Sequence, residues 1–418
     1  MSKNVPQEFS QEYVKANSTL DSRMYRDQVQ NREPMQSVLR NNPEIYFVPP
    51  KRQSEWGQWE YKEGSYYDTT TGSKHPYWKD IDLPKPTKDI NRLRNDLVTW
   101  GFCYIEDAVS KEVVQKIRQR VMEQAEGERL AGIAQRTPSG QNINCCINKG
   151  QCFEGLIEMS PDVVQGYRVV EQLVTECLGS GWITTSLIGA MSMKGGVPQA
   201  LHQDQGGIHP GSFSPMSLNV LTAVTDVDER NGGTLVIPGS HTILSEAVRA
   251  GREVGKLPPA INVNCKAGTM YITDGRLLHG TGINRTETPR IVMLNGVQKN
   301  WMRQQENWMV SVKPSVLERA SPKLLQRMGY QATTGGQTTE GHGFGAIGKI
   351  NEAAGALRDF RIAQDRGQYI RVGELGPNST EEELNKAFTL RDVVAKARRG
   401  GKAAPVGIGS LGLRHNKL

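Results

Sequence analysis

Regular alternation of apolar and polar positions begins near Leu93 and changes character at Gly181. The segment GFCYIEDAV (residues 101–109) reads as a strand. Ser110 then stands where a helix N-cap belongs, with Glu112 in the first turn, where a carboxylate meets the positive end of the helix dipole. Val113, Val114, Ile117, Val121 and Met122 recur at helical spacing, which predicts an amphipathic helix. A second helix is predicted over 162–178, where Val169, Val170, Leu173, Val174 and Cys177 share a face and Gly179 suits the stop. After Gly181 the runs shorten and become β-branched: WITTSLIGAM (182–191), SLNVLTAVTDV (217–227), GTLVIPG (233–239), GTMYITDG (268–275) and RIVMLNGVQ (290–298). Gly, Pro, Asn and Asp separate them. Short strands at close spacing predict a sandwich or barrel, mainly β, with the helices on its outside. A doubly wound sheet would need helices between the strands, and none is legible there.

The ends are less regular. Residues 1–90 form an extension, polar to about Asn42 and then rich in aromatics. Nine of these (Tyr46, Phe47, Trp56, Trp59, Tyr61, Tyr66, Tyr67, Tyr77 and Trp78) fall in a short stretch. A disordered tail would not carry so many, so this segment is expected to pack on the main domain or on a dimer partner, or to wall a substrate pocket. A homodimer is therefore left open. Residues 91–308 make the central domain, and 309–418 a C-terminal extension. QATTGGQTTEGHGFGA (331–346) reads as a flexible loop, and its GHGFG has no strand-to-helix context for phosphate binding. A modest helix is expected over 380–399.

Composition narrows the class. A hydrophobic share of 37% allows a sizeable core, while no apolar run approaches the roughly 18–20 residues that span a bilayer. The N-terminus lacks the apolar stretch of a secretory signal. Six cysteines form no CxxC pair and are read as reduced thiols in a cytosol-like compartment. The net charge of +7 gathers at the end, where Arg391–Leu418 holds seven basic residues against Asp392. That pattern is a solvated tail; it supports neither a nucleic-acid nor a membrane partner. The terminal HNKL departs from a peroxisomal address in having Asn where a small residue is usual. Cytoplasmic placement is expected, with the peroxisome as the alternative.

Seven histidines exist, and two stand in informative places. LHQDQ gives His202-x-Asp204, and residues two apart on an extended strand project to one face. A β-fold can return His279, in MYITDGRLLHGTG, beside that strand. Two imidazoles and a carboxylate on one face leave three coordination positions open, the arrangement of non-haem iron(II) oxygenases. A 2-oxo acid takes two of those positions and dioxygen the third. Zinc for hydrolysis could use the same ligands, so the triad by itself leaves the reaction open. Arg290 enters an apolar strand soon after His279. A guanidinium placed there needs an anion, and the distal carboxylate of 2-oxoglutarate would serve. His241 in PGSH is a rival ligand, read as a structural hydrogen-bonding residue. His209 is read as a pocket wall or loop residue and His342 as solvent-exposed. Asp226 and Asp228 are read as turn residues.

GFCYIEDAVSKEVVQKI, QALHQD, NGGTLVIPGSH (231–241) and LLHGTGINRTETPRIVM (277–293), in this order, resemble the phytanoyl-CoA dioxygenase family. The resemblance runs from about Trp100 to Trp301. It implies a double-stranded β-helix, the jelly-roll or cupin-like fold, with iron(II) on His202, Asp204 and His279. It also implies 2-oxoglutarate on Arg290, helped by Gln199 and Thr234, with O2 as the second co-substrate. Halogenating relatives replace the carboxylate by a small residue; Asp204 therefore implies oxygenation. The expected substrate is a hydrophobic small molecule such as a terpenoid, polyketide or alkaloid. An acyl-CoA or small polar acid is the runner-up, and a zinc hydrolase or a non-catalytic jelly-roll binding protein the other classes.

Overall fold

In a computed structural model, residues 35–45, 66–67, 72–207, 212–330 and 373–386 are described. The Gly-rich stretch 331–346, His209, His342, the basic tail, aromatics 46–61 and most of the helix expected over 380–399 lie outside them.

The two long apolar runs become neighbours. Strand β4 (Ile183–Ser192) pairs antiparallel with β10 (Arg290–Gln298) along its whole length. Around them lie β1 (Phe102–Ile105), β2 (Gln135–Thr137), β3 (Gly140–Ile143), β5 (Ser217–Ala223) and β8 (Met270–Asp274). The order is β1-β8-β5-β10-β4-β3-β2, with every pair antiparallel. A smaller sheet has β6 (Leu235–Val236) between β7 (Ile261–Asn262) and β9 (His279–Gly280). Phe102, Tyr104, Leu221, Tyr271 and Val292 of the large sheet pack with Val236 and Ile261 of the small one. Two antiparallel sheets enclosing a core make the expected jelly-roll.

Helices cover the other face of the large sheet. Helix α1 (Met35–Asn41) belongs to the N-terminal extension, α2 is Ile90–Trp100 and α3 is Lys111–Leu130. After them come α4 (Gln151–Glu158) and α5 (Tyr167–Leu178). Val114, Ile117 and Val121 of α3 and Val170, Leu173 and Val174 of α5 pack against Leu187, Ile291, Met293 and Val297. Both faces of β10 are thus buried, which is why its sequence is an almost unbroken apolar run. Ser110 caps α3 by accepting the N–H of Val113 at 3.3 Å. Met122 points out to solvent, one residue round the helix from Val121. Helix α5 begins five residues later than the sequence predicts and ends at Gly179 with φ +90°.

Several elements are new. PGSH opens helix α6 (Ser240–Ala250) rather than a bare turn, and β2, β3, β7 and α4 have no clear sequence pattern. Strands of two to four residues are too short to show a period. The described part of the extension does pack on the central domain: Val38, Ile45, Tyr66 and Tyr67 join Leu201, Leu235, Leu244 and Leu257 in one apolar cluster. Among the described residues no helix is long and apolar enough to cross a membrane. All six cysteines are free.

Candidate metal centre and co-substrate pocket

His202 and His279 face each other across a single antiparallel bridge. The N–H of each donates to the carbonyl of the other at 2.9 Å. This bridge carries the small sheet one strand further and places both rings on one side, with centroids 4.5 Å apart. Asp204 is not on an extended strand, contrary to the expectation. The chain turns at once into a 3-10 turn, Asp204–Gly207, because Gln205 donates its N–H to the Gly275 carbonyl at 2.8 Å and is pulled toward the β8–β9 turn. The turn brings the carboxylate between the rings: Asp204 Oδ1 lies 3.3 Å from His202 Nε2, and Oδ2 lies 3.4 Å from His279 Nε2. One ligand atom from each residue falls within 4.8 Å of the others, a spacing that can hold a metal ion.

The tautomers suit that role. His202 Nδ1 lies 2.9 Å from the Ala200 carbonyl and His279 Nδ1 lies 3.0 Å from that of Leu277. A carbonyl only accepts, so each Nδ1 carries hydrogen and Nε2 is the nitrogen that can offer a lone pair to an ion. Asn219, on β5, donates to Asp204 Oδ2 at 2.6 Å and fixes the carboxylate plane. Burial would push the Asp204 pKa up, but the His279 and His202 imidazoles outweigh it and hold the group well below the usual carboxylate range. For His279 burial pulls down, yet the Asp204 charge and hydrogen bond dominate and raise it. The turn before His279 is braced by a buried pair: Arg276 donates to Asp274 Oδ1 at 2.9 Å through Nε and to Oδ2 at 2.6 Å through Nη2.

A cavity of about 380 Å³ opens on the three ligands. Arg290, Val292, Leu294, Gly296 and Gln298 of β10 all line it, alternate residues of one strand. Arg290 is 3% exposed, and its Nη2 donates to the Gly232 carbonyl at 2.7 Å. Burial lowers its pKa, though a guanidinium keeps its charge. Among the described residues no carboxylate pairs with it, and its Nε has no partner. A buried cation without an anion is costly, and a diacid reaching in from the metal would relieve that cost. Gln199 and Thr234 line the same cavity. Thr234 Oγ1 is 3.2 Å from the Tyr271 hydroxyl, and Gln199 Oε1 accepts from Thr281 at 3.4 Å.

The fold brings all six expected residues to one cavity. His241 stands apart, with Nε2 against the Val98 carbonyl at 3.1 Å. Asp226 and Asp228 serve turns, accepting the N–H groups of Ala267 and of Arg230 and Asn231. Asn219 was not foreseen; its only trace in the sequence is a polar residue at a cavity-facing position of an apolar strand.

A jelly-roll with two imidazoles, one carboxylate and a buried arginine in one cavity defines the class of iron(II)/2-oxoglutarate-dependent dioxygenases. Residues 98–292 match the family model "Phytanoyl-CoA dioxygenase (PhyH)". The chain is 26% identical over 207 residues to Dioxygenase af480 of Aspergillus fumigatus, covering 44% of this chain and 65% of that protein. It is 34% identical over 141 residues to Dioxygenase FUM3 of Gibberella moniliformis, covering 32% of this chain and 45% of that protein. HygX from Streptomyces hygroscopicus, solved with nickel, 2-oxoglutarate and hygromycin B bound, is 17% identical with a TM-score of 0.39, covering 51% of this chain and 88% of that one.

Proposed function

We propose that His202, Asp204 and His279 hold iron(II), that Arg290 receives the distal carboxylate of 2-oxoglutarate with Thr234 and Gln199 beside it, and that the enzyme oxidises an unactivated C–H bond of a small molecule whose reacting part is hydrophobic. The observation that carries this reading is the unpaired buried guanidinium of Arg290 in the cavity onto which the three ligands open. Bound iron with 2-oxoglutarate and dioxygen supplies the oxidising power and releases succinate and carbon dioxide.

The chain's own groups do the rest. Both imidazoles are pre-oriented by backbone carbonyls and the carboxylate by Asn219, so little ordering is needed when the ion enters. Ile188, Leu221, Val292 and Leu294 line the cavity and keep water from the reacting carbon. The same apolar walls favour a hydrophobic specialised metabolite, such as a terpenoid, polyketide or alkaloid, as the substrate. We place the enzyme in the cytoplasm.

Anaerobic loading with iron(II) and 2-oxoglutarate, followed by oxygen, tests the reading. Wild-type protein should bind one iron per chain and release succinate faster with lipophilic candidates. His202→Ala and Asp204→Ala should lose iron and turnover while keeping the folded circular-dichroism spectrum. Bound zinc with turnover independent of 2-oxoglutarate would overturn the reading.

A further inference from the structure

The cavity is chemically graded along its length. At the β10 start it is charged by Arg290 and in the middle it is apolar. Past Gly296 its wall becomes hydroxyls and amides: Thr185, Ser186, Ser217, Gln298 and Gln305. A β-bulge produces this end. Gly296 pairs with Ser186 but Val297 pairs with Thr184, so Thr185 is the extra residue. A bulge re-aims side chains, and here both Thr185 and Ser186 face the cavity. A Cβ on Gly296 would lie 2.5 Å from the Thr185 side chain, so glycine is needed to keep the bulge closed.

The chain after β10 is strapped across this bulge. Gln304 Nε2 donates to the Thr184 carbonyl at 2.6 Å and the Gln305 N–H to Thr185 Oγ1 at 2.7 Å. The Glu306 N–H donates to the Thr185 carbonyl at 2.9 Å, and Gln298 Nε2 to the Met302 carbonyl at 2.7 Å. The strap holds Arg303 on the cavity wall at the end remote from Arg290. Among the described residues Arg303 makes no ion pair or hydrogen bond, although the molecule's other cavity-lining arginine is tied to a carbonyl.

Charge accounting gives the free guanidinium a meaning. With iron and co-substrate bound, the ion's two charges and that of Arg290 are matched by Asp204 and the two carboxylates of 2-oxoglutarate. Asp204 is the cavity's only lining carboxylate among the described residues. Arg303, solvent-exposed at the rim of the cavity, is then the one lining charge without an ionic partner among the described residues. We infer that Arg303 is a specificity-determining residue that binds an oxyanion of the substrate, so that the substrate is an amphiphilic acid: an apolar body against Val292 and Leu294, and a carboxylate or phosphate at the strap. This rests on the oxygenase reading and adds the substrate's charge to it.

The test uses full-length protein loaded with cobalt(II) and 2-oxoglutarate, which prevents turnover. Binding is read from the thermal midpoint for matched pairs: cinnamate, decanoate and quinate against their methyl esters, and decyl phosphate against decanol. Wild type should favour at least one acid over its neutral partner by about tenfold or more, the worth of one charge-assisted hydrogen bond. Arg303→Gln should abolish that preference and Arg303→Lys retain part of it, with 2-oxoglutarate affinity unchanged in both. The carboxylate and phosphate arms say which oxyanion is taken. Equal binding of acids and neutral partners, no binding of any acid, or a preference that survives in Arg303→Gln would each overturn the inference. Failure of the oxygenase reading shows separately, as wild-type protein that does not take up 2-oxoglutarate.

Discussion

At the scale of single residues, the proposed centre asks few groups to do two things. Each imidazole spends one nitrogen on a backbone carbonyl and leaves the other beside Asp204, where the proposed ion would sit; Asp204 spends one oxygen on Asn219. Arg290 is buried with one carbonyl partner, so donors remain for the proposed acid. Arg290→Leu should raise the 2-oxoglutarate needed for half-maximal turnover by about ten- to a hundredfold, the worth of a charge-assisted pair. Its folded stability should be kept, since an apolar side chain replaces an unpaired buried charge. Isothermal titration with 2-oxoglutarate and a thermal melt measure the two halves of that prediction. The raised pKa of His279 has a sign for metal loading. A proton and the ion compete for Nε2, and the proton is held more tightly than on a free imidazole, which titrates at about 6.5. Metal affinity should therefore begin to fall while the pH is still above that value. A pH series of cobalt(II) binding that stays flat down to pH 6 would contradict this.

At the scale of elements, the single bridge between His202 and His279 is the critical joint. Gly280 sits beside it in β9, and a Cβ there would lie 2.7 Å from the Gln199 carbonyl. Gly280→Ala must push the strand carrying His202 away from β9. It should cost about 1–3 kcal/mol of stability, as overpacking does, and weaken metal binding more than an equally destabilising change in α3. Comparing the two variants by denaturant melts and cobalt titration separates the local effect from the general one. The same joint shows what the pattern of the sequence carried and what it did not. β4, β5, β8 and β10 were legible because each is long enough to show its apolar character. The turn at Asp204 was not, because it is imposed by the Gly275 carbonyl, far away in sequence.

At the scale of the whole molecule, the described part of the N-terminal extension packs into the central domain. Asn42 is fully buried and stitches the two together: Oδ1 accepts from the Tyr66 hydroxyl at 3.0 Å and the Leu257 N–H at 2.9 Å, and Nδ2 donates to the Val38 and Gly255 carbonyls. Tyr67 in turn donates to the Gln199 carbonyl at 3.4 Å, on the segment that leads to His202. Asn42→Ala leaves several polar groups without partners and should lower stability by about 2–3 kcal/mol. Limited proteolysis should then cut residues 1–71 well before the central domain; simultaneous loss of both would show that the extension does not come loose alone.

The sequence by itself determined the β class, the helices before it, and the residue types that chemistry needs: two imidazoles, one carboxylate and one guanidinium in order along the chain. Local periodicity and side-chain chemistry are properties of short segments, so they can be read there. Only the tertiary structure decided that a lone bridge and a 3-10 turn bring His202, Asp204 and His279 together, that Asn219 braces Asp204, and that Arg303 stands at the far end of the cavity. Those facts depend on contacts between segments far apart in the chain, and burial and pairing at such distances leave no period in the sequence to read.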